Sequence, residues 1–146
     1  QSFTGIAQIG IDGLDRETAI DLKQYLWESY PNFYCLYLSP SGEGVKGLMR
    51  IPIAKDVQDY KEFFQGIEDE LDWIGGWDSA PKNPVLPLYL SIDKETFYNS
   101  NPIAWSKRGI LEDQETYKNL TSETPKYTPK SGDSSEYRSA AYFERI

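Results

Sequence analysis

The stretch that decides the fold is residues 33–53, FYCLYLSPSGEGVKGLMRIPI. Its first six residues form a near-continuous apolar run, short enough for a buried strand. Ser39, Pro40, Ser41, Gly42, Glu43 and Gly44 supply turn chemistry, and residues 45–53 read as a second strand with Pro52 at its edge or end. Two strands therefore follow one another here with only a turn between them. Upstream, residues 3–11 (FTGIAQIGI) predict another strand, and Asp15 stands where an N-cap belongs. Ala19, Leu22 and Leu26, widened by Ile20 and Trp27, then mark the apolar stripe of a helix that Pro31 ends. Downstream, Val57, Tyr60, Phe64, Ile67 and Leu71 recur at helical spacing with acids on the far face, and Gly75 and Gly76 close that helix. Residues 78–84 read as loop and residues 85–92 (VLPLYLSI) as the last strand. The order is β-α-β-β-α-β. It predicts an α+β, ferredoxin-like or RRM-like core: a four-stranded antiparallel sheet with both helices on one face.

Beyond Asp93 the texture changes. Residues 96–105 are turn-rich, 112–120 suggest a short helix, and 121–135 (TSETPKYTPKSGDSS) look like a linker. Ser134 could cap a final helix running to Ile146. The α+β domain is thus expected over 1–105, with 106–146 a C-terminal extension.

Composition narrows the chemistry. The 146 residues contain no His and a single Cys, Cys35. Ser–His and Cys–His nucleophiles, His-ligated zinc, His general bases, thiolate clusters and an intramolecular disulfide are all excluded. Cys35, in an apolar run, reads as a small buried hydrophobe in a reducing compartment, which sets the expected location as cytoplasmic. Carboxylates, Lys, Arg, Tyr and hydroxyls remain, and carboxylate–Mg²⁺ chemistry is the natural candidate. No window approaches ~18 consecutive apolar residues, so no membrane span is expected. A start at Gln1 rather than Met is expected of a domain within a longer chain. The net charge of −8 disfavours coating of duplex DNA by bulk charge. It confines any nucleic-acid contact to the strand bearing Lys46 and Arg50.

Two features could carry chemistry. In the turn ahead of Lys46, Gly42 and Gly44 allow close backbone approach, while Ser39, Ser41, Lys46 and Arg50 add donors that suit a triphosphate. The plainer reading is a hairpin loop needing glycine for its geometry. The second feature is carboxylates at strand ends: Asp12 and Asp15 after the first strand, Asp93 after the fourth. Two-metal phosphoryl transfer needs acidic ligands converging on Mg²⁺. In the simplest antiparallel layout, however, Asp12 and Asp93 fall at opposite rims, and each has a plainer role in a turn. An RNA-recognition motif is disfavoured because Lys46-Gly47 is followed by Leu48, Met49 and Arg50 rather than aromatics.

These residues carry a resemblance. GIAQIGID (5–12) followed by Gly13-Leu14-Asp15, SPSGEGVK (39–46), and LSID (90–93) with Phe97-Tyr98-Asn99 resemble the primase-polymerase domain of the archaeo-eukaryotic primase superfamily. The form it looks most like stands at the N-terminus of virulence-associated-E-type proteins of bacterial mobile elements, and the resemblance covers 3–105. It implies metal-dependent nucleotidyl transfer with Mg²⁺ or Mn²⁺ held by Asp12 and Asp93 as catalytic residues. It also implies a nucleotide triphosphate held by Ser39, Ser41, Gly42, Gly44, Lys46 and Arg50. Single-stranded or primed nucleic acid is the implied partner, with a helicase-type domain further along the same chain. Three positions depart from the family pattern. The first motif, normally Asp-x-Asp, reads Gly10-Ile11-Asp12; Lys46 replaces a His; Leu86 replaces an upstream Arg. Lys is an acceptable phosphate ligand, but Gly10 leaves the metal one carboxylate short, with Gln8 and Asp15 the nearest substitutes. Three readings follow: a primase-polymerase, a non-catalytic nucleotide- or nucleic-acid-binding module of that ancestry, and a ferredoxin-like protein-interaction domain.

Overall fold

A computed structural model of the chain describes residues 2–112. Strand β1 spans Ile6–Ile11, helix α1 Arg16–Ser29, β2 Phe33–Leu38, β3 Val45–Arg50 and helix α2 Val57–Leu71. A single 3₁₀ turn covers Ala80–Lys82, and a two-residue strand, β4, covers Phe97–Tyr98. Local chemistry accounts for both helix starts. Asp15 accepts hydrogen bonds from the Thr18 amide (2.9 Å) and hydroxyl (2.8 Å), and Asp56 caps α2 through the Asp59 amide (2.8 Å).

The four strands form one antiparallel sheet in the order β1-β3-β2-β4. Strand β3 lies between β1 and β2, with Val45 opposite both Ile11 and Leu38. Alternation then divides the sheet into two faces. Ala7, Ile9, Ile11, Phe33, Leu36, Leu38, Val45 and Met49 point into the core, where Leu22 and Leu26 of α1 and Phe64, Ile67 and Leu71 of α2 meet them. Both helices therefore cover one face, as the sequence pattern predicts. Gly47 shares that face for lack of room: a β-carbon there would lie 2.6 Å from Leu36 Cδ2 and 2.9 Å from the Cys35 carbonyl.

The expected fourth strand at 85–92 is not one. That segment crosses the other face of the sheet instead of lying along an edge. Gln8 Nε2, on β1, donates to the Leu86 carbonyl (2.5 Å), and the Tyr37 hydroxyl, on β2, donates to that of Tyr89 (3.1 Å). The chain between Leu86 and Tyr89 steps over β3, a span of about 10 Å or two strand spacings. Its alternation is real: Leu86 and Leu88 are half-buried while Val85, Pro87 and Tyr89 are exposed. Alternation reports one covered side, however, and does not say whether a neighbour bonds the edge. Pro84 and Pro87 also lack the N–H groups that a ladder would use. Phe97 and Tyr98 take the edge position on β2, and Trp77 bridges to Ile11 on the outer edge of β1.

The chain then wraps the rim opposite the 39–44 loop. The amides of Ile103, Trp105 and Gly109 donate to the carbonyls of Pro31 (3.0 Å), Arg50 (2.8 Å) and Glu62 (2.8 Å). Arg108 pairs with Asp59 and Glu62 and covers the Phe63 ring. Packing on α2 thus continues through Gly109, four residues past the expected boundary at 105. Apart from Glu112, the helices and linker expected after residue 112 lie outside the described residues. No helix among the described residues is long and apolar enough to cross a membrane.

Candidate functional site

Strands β1 and β2 run parallel to one another with β3 between them, so their C-terminal ends share a rim with the start of β3. Asp12, the 39–44 loop and Lys46 meet there. On the sheet face away from the helices, Lys46 stands between Gly10 of β1 and Tyr37 of β2. The register set by the Ile11–Trp77 bridge puts Asp78 opposite Gly10 on its other side, with the Asp78 amide donating to the Gly10 carbonyl (3.0 Å). A β-carbon at Gly10 would lie 3.0 Å from Lys46 Nζ and 3.5 Å from Asp78 Oδ2. The bare backbone at position 10 is therefore what lets the ammonium reach across β1. There it pairs with Asp12, 3.1 Å from Oδ1. The Asp12 side chain is 56% exposed. An ion pair this open is worth ~1 kcal/mol or less, so a phosphate or a cation can displace either partner at little cost.

The loop is docked against the same spot. Its ends are joined by the Ser39 amide donating to the Gly44 carbonyl (2.9 Å), and the Leu14 amide donates to the Glu43 carbonyl (2.8 Å). Gly42 adopts φ +75°, a conformation that favours glycine. Its amide donates to the Ser39 carbonyl (2.8 Å), and that of Glu43 to Ser41 Oγ (3.2 Å). These two N–H groups close the turn, and the Ser39 and Ser41 hydroxyls bond one another at 3.3 Å, with Ser39 buried and Ser41 exposed to a ligand. A β-carbon at Gly44 would sit 2.5 Å from the Ile11 carbonyl, 3.1 Å from Ser39 Oγ and 3.2 Å from Asp12 Oδ1. Glycine there lets the loop close onto the rim and brings a serine hydroxyl beside the Asp12 carboxylate. The Arg16 guanidinium lies along Gly42, 3.3 Å from where its β-carbon would be.

Two expected site residues lie apart from this cluster. Arg50 ends β3 at the opposite rim, about 13 Å along the strand from Lys46, and donates to the Pro102 carbonyl (2.9 Å) and Asn101 (3.3 Å). Asp93 lies on the same rim as Asp12 rather than the opposite one, because the segment before it crosses the sheet face. It caps the end of β2, two strand spacings or about 10 Å from the end of β1. Both of its oxygens are engaged: Oδ2 accepts from the Leu38 amide (2.9 Å) and Lys23 Nζ (3.0 Å), and Oδ1 from the Glu95 amide (2.9 Å). The Lys23 and Asp93 side chains are 3% and 10% exposed. Burial alone would raise the Asp93 pKa. The Leu38 and Glu95 amides and the Lys23 ammonium outweigh it and hold the carboxyl below its ordinary range. Lys23 also donates to the Glu95 carbonyl (2.7 Å) and lies 4.8 Å from the centre of the Phe97 ring.

The described residues hold no group of three or more carboxylate or thiol side chains that could cage a metal. Asp12 suits a different arrangement, in which Mg²⁺ is bound through one or two carboxylates and the phosphates of a ligand. Sequence reasoning found Asp12, Lys46 and the serines but missed Asp78, Arg16 and the Lys23 clasp. Asp78 and Arg16 had no motif to mark them. The signal for Lys23 was weak: a lysine beside Leu22 on the buried side of α1.

Fold and rim together describe an α+β sheet domain with an exposed carboxylate–lysine pair beside a serine–glycine hairpin loop. A model of the family described as BT4734-like, N-terminal domain, matches residues 1–74, and the chain belongs to that family. The matched stretch runs from β1 through α2. It contains Asp12, the loop, Lys46 and Arg50, and ends before Asp78, the crossing segment and Asp93. No curated protein and no solved structure matches the chain.

Proposed function

We propose that this domain is a nucleotide-triphosphate-binding module of the primase-polymerase type, serving a replication or mobile-element protein. The observation that carries the reading is the Lys46–Asp12 pair laid over Gly10, beside the Ser39 and Ser41 hydroxyls. Lys46 and the two hydroxyls supply positive charge and donors for phosphate oxygens. Asp12, released from Lys46, becomes a ligand for Mg²⁺ or Mn²⁺ arriving with the nucleotide, whose charge neutralises the phosphates. The support for binding rather than turnover is the state of Asp93. Its two oxygens are committed to Lys23 and to backbone amides, so the carboxylate it was expected to lend a cation beside Asp12 is already engaged. Nucleic acid, if it engages the domain, meets the same small basic site, because the chain as a whole carries a charge of −8.

Calorimetric titration with ATP in the presence of Mg²⁺ tests the reading. Lys46→Ala should weaken binding about tenfold or more, as loss of a charged hydrogen bond does. Asp12→Asn should abolish the dependence on Mg²⁺ while leaving the fold intact. Absence of ATP binding to the parent protein, or Lys46→Ala binding as well as the parent, refutes it.

A further inference from the structure

The sheet face that carries Lys46 has a cover. Residues 84–93 pass over it as a strap pinned at both ends. At the entry, Lys82 Nζ donates to Gln65 Oε1 (2.7 Å) and Glu68 Oε2 (2.8 Å), and the Tyr60 hydroxyl donates to the Pro81 carbonyl (2.7 Å). At the exit, the buried Lys23–Asp93 pair clasps the strap to α1 and β2. Between these anchors the hold is slight. Among the described residues, no backbone rung joins 85–92 to a strand, and the hydrogen bonds to the sheet are the two side-chain tethers from Gln8 and Tyr37. Outward, Val85, Tyr89 and Leu90 are exposed and Ile92 is 98% exposed, so none of the described residues packs the strap down from above. A segment fixed at its ends and lightly held in the middle can bow away without unfolding either anchor.

What lies under it matters for the rim. The strap crosses β3 between the row Gln8–Leu48–Cys35 and the row Gly10–Lys46–Tyr37. Phosphates reach Lys46 and the serines from the rim, beyond the strap. A nucleoside attached to those phosphates and directed along the sheet meets Leu48 only if the strap has moved. We infer that the strap is a displaceable cover: it lifts to admit the nucleoside half of a nucleotide onto the face around Leu48, whereas the phosphates bind with it in place. This inference rests on the nucleotide reading of the rim. The strap therefore scales the nucleoside affinity down to the fraction of molecules in which it is lifted.

Cys35 reports the motion. It is the single cysteine of the chain, half-buried on the covered face, so its modification by a thiol reagent samples opening of that face. The experiment compares the parent with Gln8→Ala, Tyr37→Phe and the double variant. It measures Cys35 modification rates and the affinities for ATP and for inorganic tripolyphosphate, both with Mg²⁺. Loss of both tethers should speed modification roughly tenfold and tighten ATP severalfold, with tripolyphosphate unchanged. Unchanged modification rates overturn the inference. So does a rise in rate with no change in ATP affinity, or equal shifts for ATP and tripolyphosphate. Tyr37→Phe keeps the ring and removes only the donor, so it carries the test alone if the double variant melts early by circular dichroism. Failure of the parent to bind either ligand refutes the rim reading itself. A parent that binds both, with variants that bind them identically, refutes the strap alone.

Discussion

Replacing Asp93 by Asn separates two roles that one carboxylate cannot fill together. In the structure Asp93 neutralises a lysine that is 3% exposed, and it fastens the end of a segment with no ladder bonds of its own. Asp93→Asn keeps the shape and an acceptor oxygen but leaves Lys23 charged and buried without its counter-charge, beside the Glu95 carbonyl and the Phe97 ring. Removing one partner of a buried pair costs about 3–5 kcal/mol, and the remaining acceptor and ring place this case near 3. For a domain of this size that lowers the melting temperature by roughly 10–20 °C. Urea unfolding of Asp93→Asn, Lys23→Met and the double variant gives the coupling. The double variant should be more stable than Asp93→Asn, because it no longer buries an unpaired ammonium. The pH profile follows from the sign of the shift. The Asp93 pKa is depressed on folding, so its contribution is complete above the ordinary carboxylate pKa of about 3.9 and is lost as pH falls through the lower folded value. Asp93→Asn should flatten that part of the acid limb. Below its melting temperature the variant should keep Mg²⁺-dependent ATP binding. A stability loss under about 1 kcal/mol, or loss of Mg²⁺-dependent binding in a variant of full stability, would refute the clasp and restore Asp93 to the metal.

Other substitutions probe separate parts of the structure. Gly47→Ala should destabilise by about 1–3 kcal/mol in a urea melt, since its β-carbon meets Leu36 Cδ2 at 2.6 Å and the Cys35 carbonyl at 2.9 Å. Gly10→Ala meets only the flexible end of Lys46 and the Asp78 side chain, so stability should change by less than about 1 kcal/mol. ATP affinity, read by calorimetry, should nonetheless fall, because the methyl group takes the space over position 10 in which the Lys46 ammonium stands. Glu68→Gln should cost about 2 kcal/mol, because Glu68 accepts from Trp77 Nε1 (3.1 Å), Ser79 and Lys82 (2.8 Å) where the strap begins. Burial alone would raise the Glu68 pKa, but Lys82, Ser79 and Trp77 outweigh it and lower it. Its stabilisation should therefore also fade as pH drops through the folded value, and a melt series in acid measures that.

Much of the fold could be read from periodicity. The two helices, the Asp15 cap and the first three strands fall where apolar spacing and capping chemistry put them. Each depends on contacts within a few residues or on a one-sided apolar stripe. The segment 85–92 misled because its alternation is real yet comes from resting on a face, and a pattern of period two is the same for a strap and for a strand. At the site, Asp12, Lys46 and the serines were legible because their residue types suit phosphate and cation. Asp78 was not, since nothing near it in sequence says that the 76–78 turn lies along β1. Asp93 was legible as a carboxylate but not as a clasp, because its partner Lys23 is 70 residues away.

What the sequence determined by itself is therefore the class of structure and the stock of chemistry. Local spacing fixes helices, strands and caps, and the absence of His together with a lone Cys restricts any site to carboxylates, amines and hydroxyls. Only the tertiary structure decided which of those groups meet. The β1–β3 register set Lys46 over the bare backbone of Gly10 and beside Asp12, while the crossing of the sheet carried Asp93 to Lys23. Pairings of that kind depend on strand order and on which face a segment covers, and these follow from the burial of the whole chain at once.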